Sequence, residues 1–256
     1  MLSSLFHTLV SEPLYNGLIF LLSILPYADV GFAIILLTFA VKIILLPLSV
    51  KMTKSQYLMQ KTLVTLKPEL ERIKEAYKND RAKQAQETME VYRRHNTSPF
   101  TVFTSFFLLL IQLPILFALF WLFSRGALPT IDVNLLYPFI TPPPTVHMEF
   151  LGLIDVAGKS IILAFLAGAT QFIQSKIALP PLQKRKEGAT LKDDMTRSIQ
   201  LQAVYVIPII IVVTAYATSA AVALYFLASN IFAIGQELLI HRRIKRAHAL
   251  SENPTV

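Results

Sequence analysis

Gly31–Val50 reads GFAIILLTFAVKIILLPLSV, an apolar run of bilayer-spanning length interrupted by one charge, Lys42. About 20 apolar residues make a helix that crosses a hydrocarbon core of ~30 Å. An ammonium in hydrocarbon costs roughly 2.5–3.5 kcal/mol even on the lenient insertion scale, so an intramembrane lysine is a functional candidate by default. Thr38 lies one helical turn earlier and shares its face. Three roles compete for Lys42: an ion pair with an intramembrane acid, a substrate charge in a transporter, or a charge lining a hydrated cavity. Asp155, Lys159 and Glu237 all fall at predicted span ends, whereas Gln112, Thr170, Gln171, Gln174, Thr214, Ser229 and Asn230 fall inside apolar runs. A polar-lined cavity around Lys42 fits that inventory best. For any one of the neutral residues alone, an interhelical hydrogen bond is the ordinary role.

Outward from this run, 54% hydrophobic residues and a mean hydropathy of +0.54 exclude an ordinary soluble domain and predict a polytopic all-α membrane protein. Five spans are expected, over residues 30–50, 99–124, 150–174, 200–217 and 218–238. The last two share one uncharged stretch from Ser198 to Gln236, too long for a single crossing at ~1.5 Å per residue, so the chain must double back near Ala217, Thr218 and Ser219. Lys and Arg crowd residues 51–98, 175–199 and the tail 239–256, while the segments before residue 30 and from 126 to 148 have none. The positive-inside rule then predicts an external N-terminus and a cytoplasmic C-terminus. The net charge of +8 is mainly this orientation signal, with anionic lipid or ribosomal RNA as possible contacts.

Leu14–Tyr27 is short for a span and lacks a basic leader, so residues 1–29 are expected to form an external interfacial helix ending at Pro26. Within residues 51–98, Met59, Leu63, Leu66, Leu70, Ile73 and Tyr77 alternate at spacings of four and three. After Asn79-Asp80, Ala82, Ala85, Met89 and Tyr92 continue the alternation. Two such stripes predict an antiparallel helical hairpin on the cytoplasmic side, with Pro68 at a kink or a fresh helix start. Pro129, Pro138 and Pro142–Pro144 keep the external loop, 125–149, from being helical. Catalysis has no support: the chain lacks HExxH, GxSxG and Gly-rich phosphate loops, holds no cysteine, and scatters its five histidines outside the spans. Neither cofactor nor metal is expected.

Taken in order, GFAIILLTFAVKIILLPLSVK, LKPELERIKEAYKND, LLLIQLPILFALFWL, ILAFLAGATQFIQSK and ALYFLASNIFAIGQELLIHRR resemble the YidC family of membrane protein insertases, with its mitochondrial and chloroplast relatives. The similarity runs from about Asp29 to Arg246. It implies a five-helix core with a groove open to cytoplasm and lipid, in which Lys42 takes the position of a basic residue that is usually Arg. Lys keeps the charge but not the planar fork of donors. Thr38 and Gln171 match groove positions, with Gln112, Tyr225 and Asn230 as weaker lining. Phe107, Ile111, Ile115, Val206 and Ile210 would guide a client's apolar segment into lipid. Phe226 stands where the family often has Trp or Tyr, residues 96–100 lack its usual glycines, and Ala217–Ala223 lacks its Pro- and Gly-containing turn. The resemblance further implies nascent membrane proteins as clients, the ribosome and a Sec translocon as partners, no small-molecule substrate and no sequence-specific nucleic acid; the compact length and the lack of a targeting sequence lead to an expected residence in the bacterial plasma membrane. An assembly chaperone without insertase activity and a small secondary transporter are the rival readings, the latter weakened by the absence of an internal repeat.

Overall fold

The computed structural model describes residues 6–95, 113–118, 120, 128, 130–179 and 197–252. The chain divides into two compact units, residues 46–112 and the remainder. In the larger unit α1 (Glu12–Ile24) follows a π-helical turn, His7–Ser11, and leads into α2 (Val30–Ile44). After residues 113–118, which are helical, and an irregular loop come β1 (Glu149–Phe150), β2 (Ile154–Asp155), α5 (Ile161–Ala178), α6 (Ile207–Ala217) and α7 (Ala220–Glu252). The smaller unit contains α3 (Leu46–Ala76) and α4 (Arg81–Arg94).

Among the described residues, three helical stretches are long and apolar enough to cross a membrane: Ile161–Ala178, Arg197–Ala217 and Ala220–Ile244. A fourth is reached if Val30–Ile44 and Leu46–Leu58 together make one span. The chain turns where the uncharged stretch had to double back: α6 stops at Ala217 and α7 starts at Ala220. Two boundaries differ from expectation. The run 30–50 is not one helix, because α2 ends at Ile44 and α3 begins at Leu46. Pro47 has no N–H to bond back to Ile43 and is tolerated only in the first turn of a new helix, so the break falls just before it. The helix expected from residue 150 begins instead at Ile161, after the β1–β2 turn, with Ser160 Oγ accepting from Leu163 N at 3.3 Å as its cap.

The larger unit's core joins Tyr15, Leu18, Ile19 and Leu22 of α1 to Val30, Ala33, Ile34 and Leu37 of α2, Leu163, Ala164 and Ala167 of α5, and the first turns of α7. Helix α1 is therefore packed into the bundle by one whole face rather than resting loosely on it. Small residues let α5 approach its neighbours: a Cβ on Gly168 would collide with Val212 Cγ2 and come within 3.1 Å of the Pro208 carbonyl of α6. Such close backbone approach is the usual means of packing helices in lipid, where water supplies no drive.

One end of this unit is sealed by backbone hydrogen bonds. Val30 N donates to His147 O at 3.0 Å, His147 N to Ala28 O at 3.2 Å, Val156 N to Met148 O at 2.8 Å, Ala220 N to Gly158 O at 2.7 Å and Ala221 N to Val156 O at 2.9 Å. Buried Asp29 caps α2 by accepting from Phe32 N at 3.0 Å, and its second oxygen accepts from Leu151 N at 3.1 Å. The first turns of α2, α5 and α7 thus meet at one end, where several of their orphan amides find partners, as a low-dielectric setting favours. The loop over residues 130–140 is tied to α1 by Asn16, whose amide donates to Leu135 O at 2.8 Å while its oxygen accepts from Tyr137 N at 2.7 Å. Tyr15 Oη accepts from Asp132 N at 2.8 Å beside it.

In the smaller unit, Leu66, Val91 and Tyr92 are buried together, with Leu70 and Ile73 against them. The turn falls at residues 77–80, and Asp80 caps α4 by accepting from Lys83 N at 3.0 Å. Pro68 is carried inside α3. The inward face of α4 departs from the expected stripe: Val91 is fully buried while Met89 is 51% exposed and Ala82 and Ala85 are also exposed. Alanines contribute too little area to set the face; Val91 and Tyr92 decide it, and Gln84 reaches back to Lys74 O at 3.4 Å.

Candidate functional site

Helix α2 presents Thr38 and Lys42 one turn apart, and both line a small pocket with Leu37 and Val41 of the same helix, Leu14 of α1, Ile115, and Tyr225 of α7. Thr38 is buried and its hydroxyl donates to Ile34 O at 2.7 Å, leaving the oxygen lone pairs toward its surroundings. Tyr225 is almost wholly buried, its ring 5.6 Å from that of Phe226. Among the described residues, no acid lines the pocket. The broken helix changes the setting of Lys42: it stands in the last turn of α2, where unsatisfied carbonyls favour a cation by about 0.3–1 kcal/mol, rather than in the middle of a continuous span. The ammonium of Lys42 and the hydroxyls of Thr38 and Tyr225, set in an apolar wall, can attract and hydrogen-bond an anionic or polar group.

The other expected residues fall elsewhere. Gln171 donates to Gln174 Oε1 at 3.1 Å and Ser175 Oγ at 3.2 Å along α5 and is not among the residues lining the pocket. Asn230 joins α7 to α5, its amide donating to Ala167 O at 3.1 Å and Thr170 Oγ1 at 3.3 Å. Val206 and Ile210 are exposed on the helix leading through α6. Phe107, Ile111 and Gln112 lie outside the described residues, as do residues 180–196 of the basic loop. Ile115, expected on an apolar slide, lines the pocket itself, and Leu14 joins it without having been singled out. The only sequence signal for Leu14 was its place in the weak apolar run before Pro26.

The match to known proteins is extensive. The family described as 60Kd inner membrane protein matches residues 21–247. The chain belongs to this family. A relative from Fusobacterium nucleatum, named membrane protein insertase YidC, is 34% identical over 213 residues, covering 83% of this chain and 86% of its own. A protein of the same name from Clostridium tetani is 28% identical over 228 residues, covering 89% and 88%. One from Oceanobacillus iheyensis is 30% identical over 217 residues, covering 83% and 74%. The resemblance carried by the motif series in the sequence is thus to the family found here. The pocket containing Lys42 lies wholly within the matched 60Kd inner membrane protein region except for Leu14.

Proposed function

We propose that this chain inserts nascent membrane proteins into the lipid bilayer and helps them fold, acting as a multi-pass protein of the bacterial plasma membrane and not as an enzyme. The observation that carries the mechanism is the pairing of Lys42 with Thr38 in one pocket, in the last turn of a helix whose other end is sealed by backbone hydrogen bonds. Leaving a polar group unsatisfied in hydrocarbon costs several kcal/mol. A groove reaching Thr38 and Lys42 from the cytoplasmic side shortens the apolar distance that a client's polar tail must cross. The ammonium attracts acidic groups of the tail, and Ile115, Val206 and Ile210 offer the client's apolar segment a path into lipid. Tyr225 and Gln112 complete the polar surroundings in this scheme, while Gln171 and Asn230 brace α5 and its contact with α7.

Hydrophobic partitioning supplies the drive, and a membrane potential adds about 2.3 kcal/mol per charge per 100 mV for an acidic tail moving outward. Five spans, an external N-terminus and a cytoplasmic α3–α4 hairpin complete the proposed topology. The hairpin would receive clients from the ribosome or a Sec translocon. A photoreactive residue at Ile115 tests the route: stalled single-span clients crosslink there and not at Phe165, on the outer face of α5. Insertion with crosslinks at Phe165 alone would overturn the groove, and crosslinks at Ile115 without translocation would make the protein an assembly chaperone.

A further inference from the structure

The β1–β2 turn carries residues that loop chemistry alone does not explain. Leu151 has φ +57° and Gly152 φ +67°. A leucine in the left-handed region is strained where glycine or asparagine would sit freely, so an apolar side chain is kept there against a local cost. Leu151 is 58% exposed and Leu153 83%. Tyr27, with φ +69° and 85% exposed, borders the same cleft as Leu151 and Gly152.

This tip is rigid. Phe150 lies edge-on to Phe32 at 5.3 Å and fills the space where a Cβ on Gly31 would stand, and Asp29 holds the Leu151 amide. The tip also lies at the end where α2, α5 and α7 begin, and the first turns of α5 show Ile161, Ile162 and Phe165 outward. The exposed apolar surface of a helix able to cross a membrane therefore continues toward the tip. At the same end Lys159 lies over the Tyr216 ring at 5.8 Å, and such basic and aromatic residues gather at the water–lipid interface. The tip itself, residues 149–155, holds no Lys or Arg and carries Glu149 and Asp155, so its attraction to the bilayer is apolar and does not need anionic headgroups.

We propose that Leu151 and Leu153, with Tyr27, form a lipid anchor: the tip sits in the interfacial layer of the leaflet at this end and, through Asp29, fixes the depth of the first turn of α2. This rests on the reading of α5, α6 and α7 as membrane spans. The chain has no cysteine, so Leu153→Cys, Leu151→Cys and Phe165→Cys each create one site for a bimane label. In nanodiscs of zwitterionic lipid, the expected result is that labels at 151 and 153 lose more fluorescence to a nitroxide on the upper acyl chain than to one near its end. They lose little to aqueous iodide, and adding anionic lipid leaves the pattern unchanged. Quenching of 153 by iodide but not nitroxide, with 165 still quenched by nitroxide, overturns the anchor while the spans stand. A label at 153 shielded from both quenchers also overturns it, in favour of a protein cover such as a second copy. Iodide quenching at both 153 and 165 overturns the anchor and the spanning reading together.

Discussion

Replacing Asp29 should unfasten the sealed end of the bundle in two separable steps. One carboxylate oxygen caps α2 through Phe32 N at 3.0 Å and the other holds Leu151 N at 3.1 Å, both from a residue only 8% exposed. Loss of an N-cap costs about 1 kcal/mol, and loss of a hydrogen bond to a buried charged acceptor about 1.5–3 kcal/mol, so Asp29→Ala should destabilise by about 2.5–4 kcal/mol. That is on the order of a hundredfold or more in the folding equilibrium. Asn caps helices as well as Asp does but has only one acceptor oxygen, so Asp29→Asn should lose only the Leu151 bond, about 1.5–3 kcal/mol. Unfolding of purified protein in mixed micelles by increasing SDS fraction, followed by far-UV circular dichroism, should rank wild type above Asn above Ala. Wild-type stability for Asp29→Ala, or an Asn variant as damaged as Ala, would refute the double-clamp reasoning.

Gly168→Ala should destabilise by about 1–3 kcal/mol, because the new Cβ meets Val212 and the Pro208 carbonyl, and the same SDS titration reads the loss. Leu66→Ala in the full chain should cost the α3–α4 unit about 2–5 kcal/mol, whereas Met89→Ala, at an exposed position, should cost little; limited proteolysis within residues 77–80 separates the two. Burial raises the Tyr92 hydroxyl above its ordinary value of 10.0, so the folded unit favours the neutral phenol. The unfolded chain therefore ionises first as pH rises: the contribution is whole below about pH 10 and is lost as pH climbs through the higher folded value, and Tyr92→Phe should flatten this alkaline decline in a pH series of melts.

The parts of the fold legible in the sequence are those set by local chemistry. The turn at Ala217–Ser219 followed from an uncharged stretch too long to cross once, and the turn after Tyr77 from Asn79-Asp80, with Asp80 capping α4. The break at Leu45 is equally local, since Pro47 announces a kink in the run 30–50. The late start of α5 was hidden because Phe150, Leu151 and Leu153 are as apolar as a span; only backbone pairing across the Leu151–Leu153 turn reveals a tip. The clamps by Asn16 and Asp29 join residues more than 100 positions apart, a separation no periodicity encodes. At the candidate site, Thr38 and Lys42 were legible from helical spacing, and Tyr225 from the family resemblance. Leu14 was not, because it enters from a helix whose tight packing into the bundle depends on tertiary contacts. Gln171 and Asn230 carry the same polar signal for a groove and for an interhelical bond, and only coordinates separate the two: Asn230 spends its amide on α5.

The central claim is that a cation at position 42 assists translocation of an acidic tail. Protease protection of a single-span client with an acidic tail, added to proteoliposomes of wild type, Lys42→Arg, Lys42→Ala and Lys42→Glu, tests it most directly. The charged-groove account predicts that Lys42→Arg protects the tail as wild type does, that Lys42→Ala protects less, and that Lys42→Glu protects least. Equal protection by all four would contradict it.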